Sequence, residues 1–178
     1  MKSKHTKRTS RGNYVADFGP ALFILVVSVF FPLTNLVSIT MRTALINNAV
    51  QQTAGVASRA KTFNTSISTN EPSSKALASS TFSSLASQIG GFTSTSVQTS
   101  IIVTNITTGV STVQTTKLSS PADTNVNVYA IRVTATGSVS PLVSCNSSLF
   151  GNVPGLTKPF TFTSTASSYS ECTQGLNQ

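Results

Sequence analysis

Charged side chains are scarce in this chain of 178 residues, where Asp, Glu, Lys and Arg together supply 9%, against roughly 25% in an average soluble domain. The four acidic residues are scattered along the sequence and not paired. Histidine occurs once, at His5, so a Ser-His or Cys-His nucleophile has no base outside the amino-terminal tail. Phosphate-binding Gly-rich loops are also absent. The sequence therefore predicts a protein that is not an enzyme and that binds no cofactor.

Cysteine is equally sparse, since Cys145 and Cys172 are the only two. A structural zinc site takes four Cys or His ligands, so we expect no metal centre. In an exported domain, two cysteines favour a single disulfide, here between Cys145 and Cys172. The alternative is a pair of unrelated buried thiols.

The basic residues are concentrated at the amino terminus. The formal net charge of +8 is a reason to consider nucleic-acid binding. However, five of the twelve basic residues lie within the first eleven positions, and the remaining seven are set against four acidic residues. No basic patch with interleaved aromatic residues follows the tail. We therefore expect no nucleic acid among the partners and interpret the tail as a topology signal.

An uncharged run follows at residues 18–41, which read FGPALFILVVSVFFPLTNLVSITM. As a helix this run measures about 36 Å, enough to cross a hydrocarbon core of about 30 Å with some tilt. A cleaved secretory signal is the main alternative, but its apolar region spans about 7–15 residues and ends in a small-x-small site. This run is longer, and no Ala-x-Ala follows it closely. Pro20 lies near the helix start, where a missing N–H does little harm, and Pro32 is expected to bend the helix.

The cations before the span, with none inside it, predict that the amino end stays in the cytoplasm and that the remainder lies outside. Asp17 immediately precedes the span, and a carboxylate at the edge of an apolar helix is costly without a partner. Hydration at the membrane surface is one explanation for Asp17. A nearby positive charge is the other.

Residues 12–18 read G-N-Y-V-A-D-F and stand between the basic leader and the apolar run. This arrangement resembles the processing site of type IV pilin-like proteins, where a membrane aspartyl peptidase cuts after the glycine. Phe18, following the acid, is similar to the TadE/TadF-type pseudopilins of the tight-adherence (Tad) pilus, whereas the major pilin tends to carry Tyr there. The acid is Asp17, where the family usually has Glu.

The resemblance implies a processing site formed by Gly12, Asn13, Asp17 and Phe18. Gly12 lacks a Cβ, so its backbone can lie extended in a narrow active site. The cut would create an ammonium group at Asn13. Asp17 lies one helical turn further on, within reach of that ammonium or of one from a neighbouring subunit. Because opposite charges attract far more strongly at low dielectric than in water, Asp17 would gain a partner.

Beyond the span, apolar residues recur at steps of three and four, which indicates a helical stripe. The stripe consists of Ile46, Ala49, Val50, Ala54, Ala57 and Ala60. We expect this helix to continue from the membrane to about Lys61. A second helix is expected from about Pro72, with Leu77, Phe82, Leu85 and Ile89 on one side, and the Gly90-Gly91 pair ends it.

Three later segments, 97–106, 126–139 and 156–167, are rich in β-branched and aromatic residues and indicate strands. Gly109 and Pro121 mark turns or loops between them. The predicted fold is α+β: a long amino-terminal helix, half transmembrane and half packed on a head, then a second short helix and a small antiparallel β-sheet.

The resemblance to TadE-like chains extends from Arg11 to about Glu171. The segment NNAVQQTAGVASRA is similar to the Ala-rich stretch that follows the span in that family. VYAIRVTATGSVSPL and FTFTSTAS are similar to its late strand, Pro-containing loop and final strand. We divide the chain into a basic cytoplasmic leader (1–12), a transmembrane helix (13–41), a membrane-proximal amphipathic helix (42–63) and an extracytoplasmic α+β head (64–178).

This resemblance implies a minor pilin-like structural subunit that assists assembly of a Tad/Flp-type pilus in adhesion and secretion. Its expected partners are a prepilin-type peptidase, other pilin-like subunits, the inner-membrane assembly platform and the lipid bilayer. The expected location is the bacterial inner membrane, crossed once, with the head in the periplasm. The alternative is a membrane-anchored, Ser/Thr-rich adhesin or envelope protein unrelated to pili.

Overall fold

A long amino-terminal helix opens the part of the chain that the structure, a computed structural model, describes: residues 14–144 and 153–178. It consists of α1 (Tyr14–Leu25), a π-helical turn (Val26–Phe30) and α2 (Phe31–Ala57), which follow one another without a break. The helix expected from the apolar run and the stripe behind it is therefore one continuous element.

The π-helical turn lies immediately before Pro32, where the sequence predicts a bend. Proline has no N–H to donate to the carbonyl one turn earlier, and a π turn is one way for a helix to absorb such an interruption. Two side-chain hydroxyl groups add hydrogen bonds to backbone carbonyls in this region. Ser28 donates to the Ile24 carbonyl, and Thr34 donates to the Phe30 carbonyl. Proline 32 thus changes the helical hydrogen-bond ladder at the expected place.

Helix α2 ends at Ala57, earlier than the expected end near Lys61. The Arg59 and Ala60 N–H groups bond to carbonyls three residues back, which tightens the chain into a turn. The Ser58 carbonyl accepts a hydrogen bond from the Glu171 N–H at 3.0 Å, and further on the Phe63 N–H donates to the Gly175 carbonyl at 3.2 Å. The carboxyl-terminal residues thus form hydrogen bonds with backbone groups that would bond within a longer helix. Local periodicity does not predict such long-range hydrogen bonds.

Helix α3 (Ser74–Ala86) occupies the predicted second helical segment. Ser73 precedes it in an extended conformation, and its side chain accepts a hydrogen bond from the Ala76 N–H, which is the usual role of serine at an N-cap. The Gly90-Gly91 pair follows the helix as predicted, and Gly91 has a φ of 74°, a conformation that glycine adopts without strain.

An antiparallel sheet of four strands follows in the described residues, in the order β2-β1-β3-β4. The strands are β1 (Phe92–Asn105), β2 (Ser111–Gln114), β3 (Asn127–Val139) and β4 (Phe160–Tyr169). The predicted α+β class with a small antiparallel sheet is confirmed. Strand β2 was not predicted, because four mostly exposed residues carry almost no pattern. Strand β1 begins earlier than residue 97, because its Ser/Thr-rich start pairs with the end of β3, as in Phe92↔Val139.

The core lies between the two head helices and one face of the sheet. Every residue of the predicted stripe is buried, from Ile46 to Ala60, and Phe82 of α3 is 1% exposed. In β3 the buried positions alternate, so that Ile131 and Val133 face the helices while Thr134 faces away. The stripe predicted from spacing is therefore the surface on which the head packs.

The carboxyl-terminal segment closes the end of the head furthest from the amino terminus of the helix. An added Cβ at Gly175 would lie 1.6 Å from the Lys61 carbonyl oxygen, so no other residue fits there. Exposed ion pairs flank this region, Arg59–Glu171 at 3.3 Å and Lys61–Glu71. The hydrogen bond to Glu71, together with its charge, raises the pKa of Lys61, although exposed pairs of this kind contribute little stability.

Candidate functional site

The amino-terminal part of the long helix is apolar and uncovered. Among the described residues, this is the one helix long and apolar enough to cross a membrane. Its side chains from 18 to 25 are all exposed, including Phe18, which is 65% exposed, and Phe23. A core helix of a soluble protein passes the same length and composition test but is mostly buried. The described residues leave this helix uncovered, which is consistent with a helix that crosses a membrane once.

The predicted processing residues lie at the start of this helix. Asp17 and Phe18 belong to α1, whereas Gly12 and Asn13 lie outside the described residues. Cys145 also lies outside them, so its predicted disulfide with Cys172 stays a prediction. Cys172 is partly buried, immediately before the carboxyl-terminal 3₁₀ turn (Thr173–Gly175).

The head is joined to α2 by side-chain hydrogen bonds that no sequence pattern predicted. Asn35, 1% exposed, donates to the Val143 carbonyl at 2.8 Å and accepts from the Val143 N–H at 2.9 Å. This reciprocal pair satisfies both backbone groups of one residue in an irregular segment. An asparagine within an otherwise apolar run is the sequence signal that could have revealed such a contact.

A second contact lies two helical turns further along. The Arg42 guanidinium donates to the Ser140 carbonyl at 2.6 Å, and the Ser140 N–H donates to the Gly91 carbonyl at 2.8 Å. Gly91 itself packs on the guanidinium, because an added Cβ there would lie 2.7 Å from Nη1 of Arg42. Arg42 thus joins the loop after α3 and the end of β3 to the long helix.

Further contacts show that the strands run alongside α2. Ser164 in β4 donates to the Asn47 side chain at 2.6 Å, and Ser58, just beyond α2, bonds to the hydroxyl of Ser168 at 3.1 Å. Later positions in β4 therefore meet later positions on the helix. In the part of the head that the structure describes, the polar contacts with the long helix run from Asn35 onward.

An open apolar groove of about 730 Å³ runs along the same part of the helix. It is lined on the helix side by Leu33, Val37 and Met41, and on the head side by Ile89 and Leu142. Met41 is 64% exposed and Leu142 is 60% exposed. The groove continues the uncovered apolar surface of the first helix towards the head.

The outer face of the sheet, away from the helices, is rich in hydroxyl groups. Threonines pair across β3 and β4, with side-chain oxygens 3.2 Å apart in Thr134–Thr165 and in Thr136–Thr163. Such cross-strand pairs each contribute roughly 0.2–1 kcal/mol. This surface has the polarity of a solvent-facing sheet, and hydroxyl groups supply more of that polarity than charge does.

The chain matches no family model, no curated protein and no solved structure.

Proposed function

We propose that this chain is a membrane-anchored, TadE-like pseudopilin, a structural subunit that assists assembly of a Tad/Flp-type pilus. The observation that carries the proposal is the G-x-x-x-x-D-F sequence of residues 12–18 placed at the start of a continuous helix that ends at Ala57. A leader with a cleavable glycine needs such a helix behind it to hold the substrate in the membrane.

The division of the long helix supports a role in assembly. Its first part exposes apolar side chains, and its second part carries the head through Asn35, Arg42 and the buried stripe. An apolar helix that projects from a head can pass from lipid into contact with other apolar helices without unfolding the head. The groove beside Met41 and Leu142 is open to a helix of a neighbouring pilin-like subunit.

The proposed location is the bacterial inner membrane, crossed once, with the amino end in the cytoplasm. The basic leader supports this orientation, because positively charged flanks stay on the cytoplasmic side. The prepilin-type peptidase, other pilin-like subunits and the membrane assembly platform are the proposed partners. No catalytic role is assigned to the chain.

Leader removal tests this proposal. Intact-mass measurement of the membrane-extracted protein should give a mature chain that begins at Asn13. Gly12→Val should block the cut, because the branched side chain hinders an extended backbone. Gly19→Val is the matched control, since the same change in α1 meets nothing within 4 Å and should leave cleavage intact.

Asp17→Ala separates processing from assembly. The carboxylate is proposed to pair with the new ammonium after the cut, so this variant should be cleaved normally but assemble poorly. A mature protein that keeps Met1, or one that begins near Ala44 after the apolar run, would refute the pseudopilin proposal.

The hydroxyl-rich outer face favours a second candidate, a membrane-anchored adhesin unrelated to pili. Thr163 and Thr165 are both exposed on this face. If the face binds a surface, the double variant Thr163→Lys, Thr165→Lys should abolish surface adhesion of the cells. A pseudopilin whose outer face is not a binding surface would retain adhesion in this double variant. If the chain is an adhesin, the leader should remain uncut. Leader cleavage and surface adhesion can therefore be measured in the same cells.

A further inference from the structure

The lower edge of the head, defined here as residues 140–144 and 153–158, is irregular backbone that contacts the long helix. Residue Val143 meets Asn35. Gly155 meets Ile39, since an added Cβ at Gly155 would lie 2.7 Å from Cδ1 of Ile39. Both contacts fall within the uncharged run of 18–41, which as a whole was expected to lie in the membrane.

The hydrocarbon core of a bilayer does not tolerate irregular backbone that is exposed to lipid. In the hydrocarbon region every unsatisfied N–H or C=O costs several kcal/mol, so lipid-exposed loops do not occur there. The hydrocarbon must therefore stop at or before the level of Asn35. The uncharged part of the helix before Asn35, from Phe18 to Thr34, measures about 26 Å, and with the first turn back to Tyr14 about 31 Å. A hydrocarbon core of about 30 Å then has Asp17 near its inner edge.

Among the described residues, the lower edge carries basic but no acidic side chains, whereas the far end of the head carries both signs. The acidic residues of the head lie at the opposite end: Glu71 and Glu171 pair with cations beyond α2, and Asp123 bonds to Tyr129 near the start of β3. The lower edge has Arg42 beside it and carries the exposed Lys158. Exposed Leu142 and Val153 add apolar side chains. Cations mixed with apolar groups suit the headgroup region of an anionic bilayer.

We propose that the outer hydrocarbon boundary lies at Asn35 and that the lower edge of the head rests in the headgroup layer of the bilayer. The membrane-spanning segment is then 14–34, shorter at its outer end than the expected 13–41. Met41 lies seven residues beyond Thr34, about 10 Å outside the hydrocarbon. This proposal rests on the membrane anchoring proposed above, but it makes separate claims about depth.

The absence of tryptophan allows each depth to be measured with a single fluorophore. The full-length chain would carry one substitution at a time, all at exposed positions: Leu22→Trp, Met41→Trp, Leu142→Trp or Val113→Trp. Each variant is reconstituted at low density in vesicles of phosphatidylcholine and phosphatidylglycerol. The lipids carry a nitroxide quencher either near the chain end or near the headgroup.

Leu22→Trp should be quenched most by the chain-end label, and Leu142→Trp most by the headgroup label. Met41→Trp should lose little fluorescence to the chain-end label. Val113→Trp lies in β2 opposite Ile102, far along the sheet from the lower edge, and should lose none to either label. Circular dichroism of each variant checks that the head remains folded.

Quenching of Met41→Trp by the chain-end label as strong as that of Leu22→Trp would overturn the boundary at Asn35 while leaving the anchor in place. A Leu142→Trp signal untouched by both labels would show a head that stands clear of the bilayer. Failure to quench Leu22→Trp would remove the anchor itself.

A charge reversal tests the headgroup contact independently. Lys158→Glu should weaken headgroup-label quenching of Leu142→Trp in vesicles that contain phosphatidylglycerol, and should have little effect in pure phosphatidylcholine. Lys117→Glu is the matched control, because Lys117 is exposed and adjoins Leu118, which bonds to the carboxyl-terminal segment at the opposite end of the head. Equal effects of the two reversals would contradict a contact made by the lower edge.

Discussion

Asn35 illustrates how a single polar residue can fix one element against another. Its side-chain amide presents a donor and an acceptor on two separate atoms to the peptide groups of Val143. A hydroxyl has both functions on a single oxygen, and an ionised carboxylate has no donor. The asparagine lies on α2, so the contact positions the end of the head directly against the helix. Leucine at this position would suit the apolar run but would leave the peptide groups without partners.

Asn35→Leu is therefore expected to destabilise the docked head by about 1–3 kcal/mol, the usual penalty for leaving buried polar groups unsatisfied. The measurement is denaturant unfolding of the detergent-solubilised protein. Thr40→Ala serves as the control, since the exposed Thr40 hydroxyl bonds only within its own helix, to the Leu36 carbonyl. Equal stability of the two variants would show that the Asn35 contact does not hold the head.

At the scale of elements, periodicity predicted most of the head. The buried stripe from Ile46 to Ala60, the second helix and β3 all follow from spacing and residue type, because a buried face imposes a repeat on the sequence. The pattern failed where burial is weak. Strand β2 is mostly exposed, and its position is fixed by pairing with β1, as in Val103↔Thr112.

Element ends depend on distant partners, and local sequence does not report them. The end of α2 at Ala57 is coupled to the carboxyl-terminal segment, which lies more than a hundred residues later in the chain. The docking residues Asn35 and Arg42 were missed for the same reason, since their partners near residue 140 are remote in sequence. The G-x-x-x-x-D-F spacing, which predicts a processing site, can be read from the sequence because it is local.

Helix α3 is held by Phe82, which fills the space between α2 and the sheet and meets the Phe92 ring edge-on at 6.1 Å between centroids. Phe82→Ala should lower the free energy of unfolding of the head by about 3–5 kcal/mol, because the cavity adds to the lost burial. Phe23→Ala is the matched control: Phe23 is exposed on α1, so head unfolding in detergent should not change. A small effect at Phe82 would mean that α3 is not part of the cooperative core.

For the whole molecule, the long helix links two environments. Between Phe18 and Leu33 most of the large apolar side chains are exposed, and from Asn35 onward the same helix contacts the folded head. The strands run beside α2, so the head extends away from the end of α1. The carboxyl terminus lies at the far end, where the Asn64 N–H donates to the Gln178 carbonyl at 2.9 Å.

This placement makes the carboxyl terminus a suitable site for a topology measurement. An enzyme reporter that is active only outside the cytoplasm, fused after Gln178, should be active, and a reporter that needs the cytoplasm should be silent there. In the proposed topology the basic leader sets the orientation of the chain. Replacing the five leader cations with glutamine should therefore reduce the fraction of the protein that has this orientation. The five are Lys2, Lys4, Lys7, Arg8 and Arg11. The matched control replaces Arg59 and Lys61 with glutamine at the far end of the head, which should leave orientation unchanged.

Activity of the cytoplasmic reporter in the unmodified chain would reverse the proposed orientation and would put Gly12 on the wrong side for a peptidase that cuts in the cytoplasm.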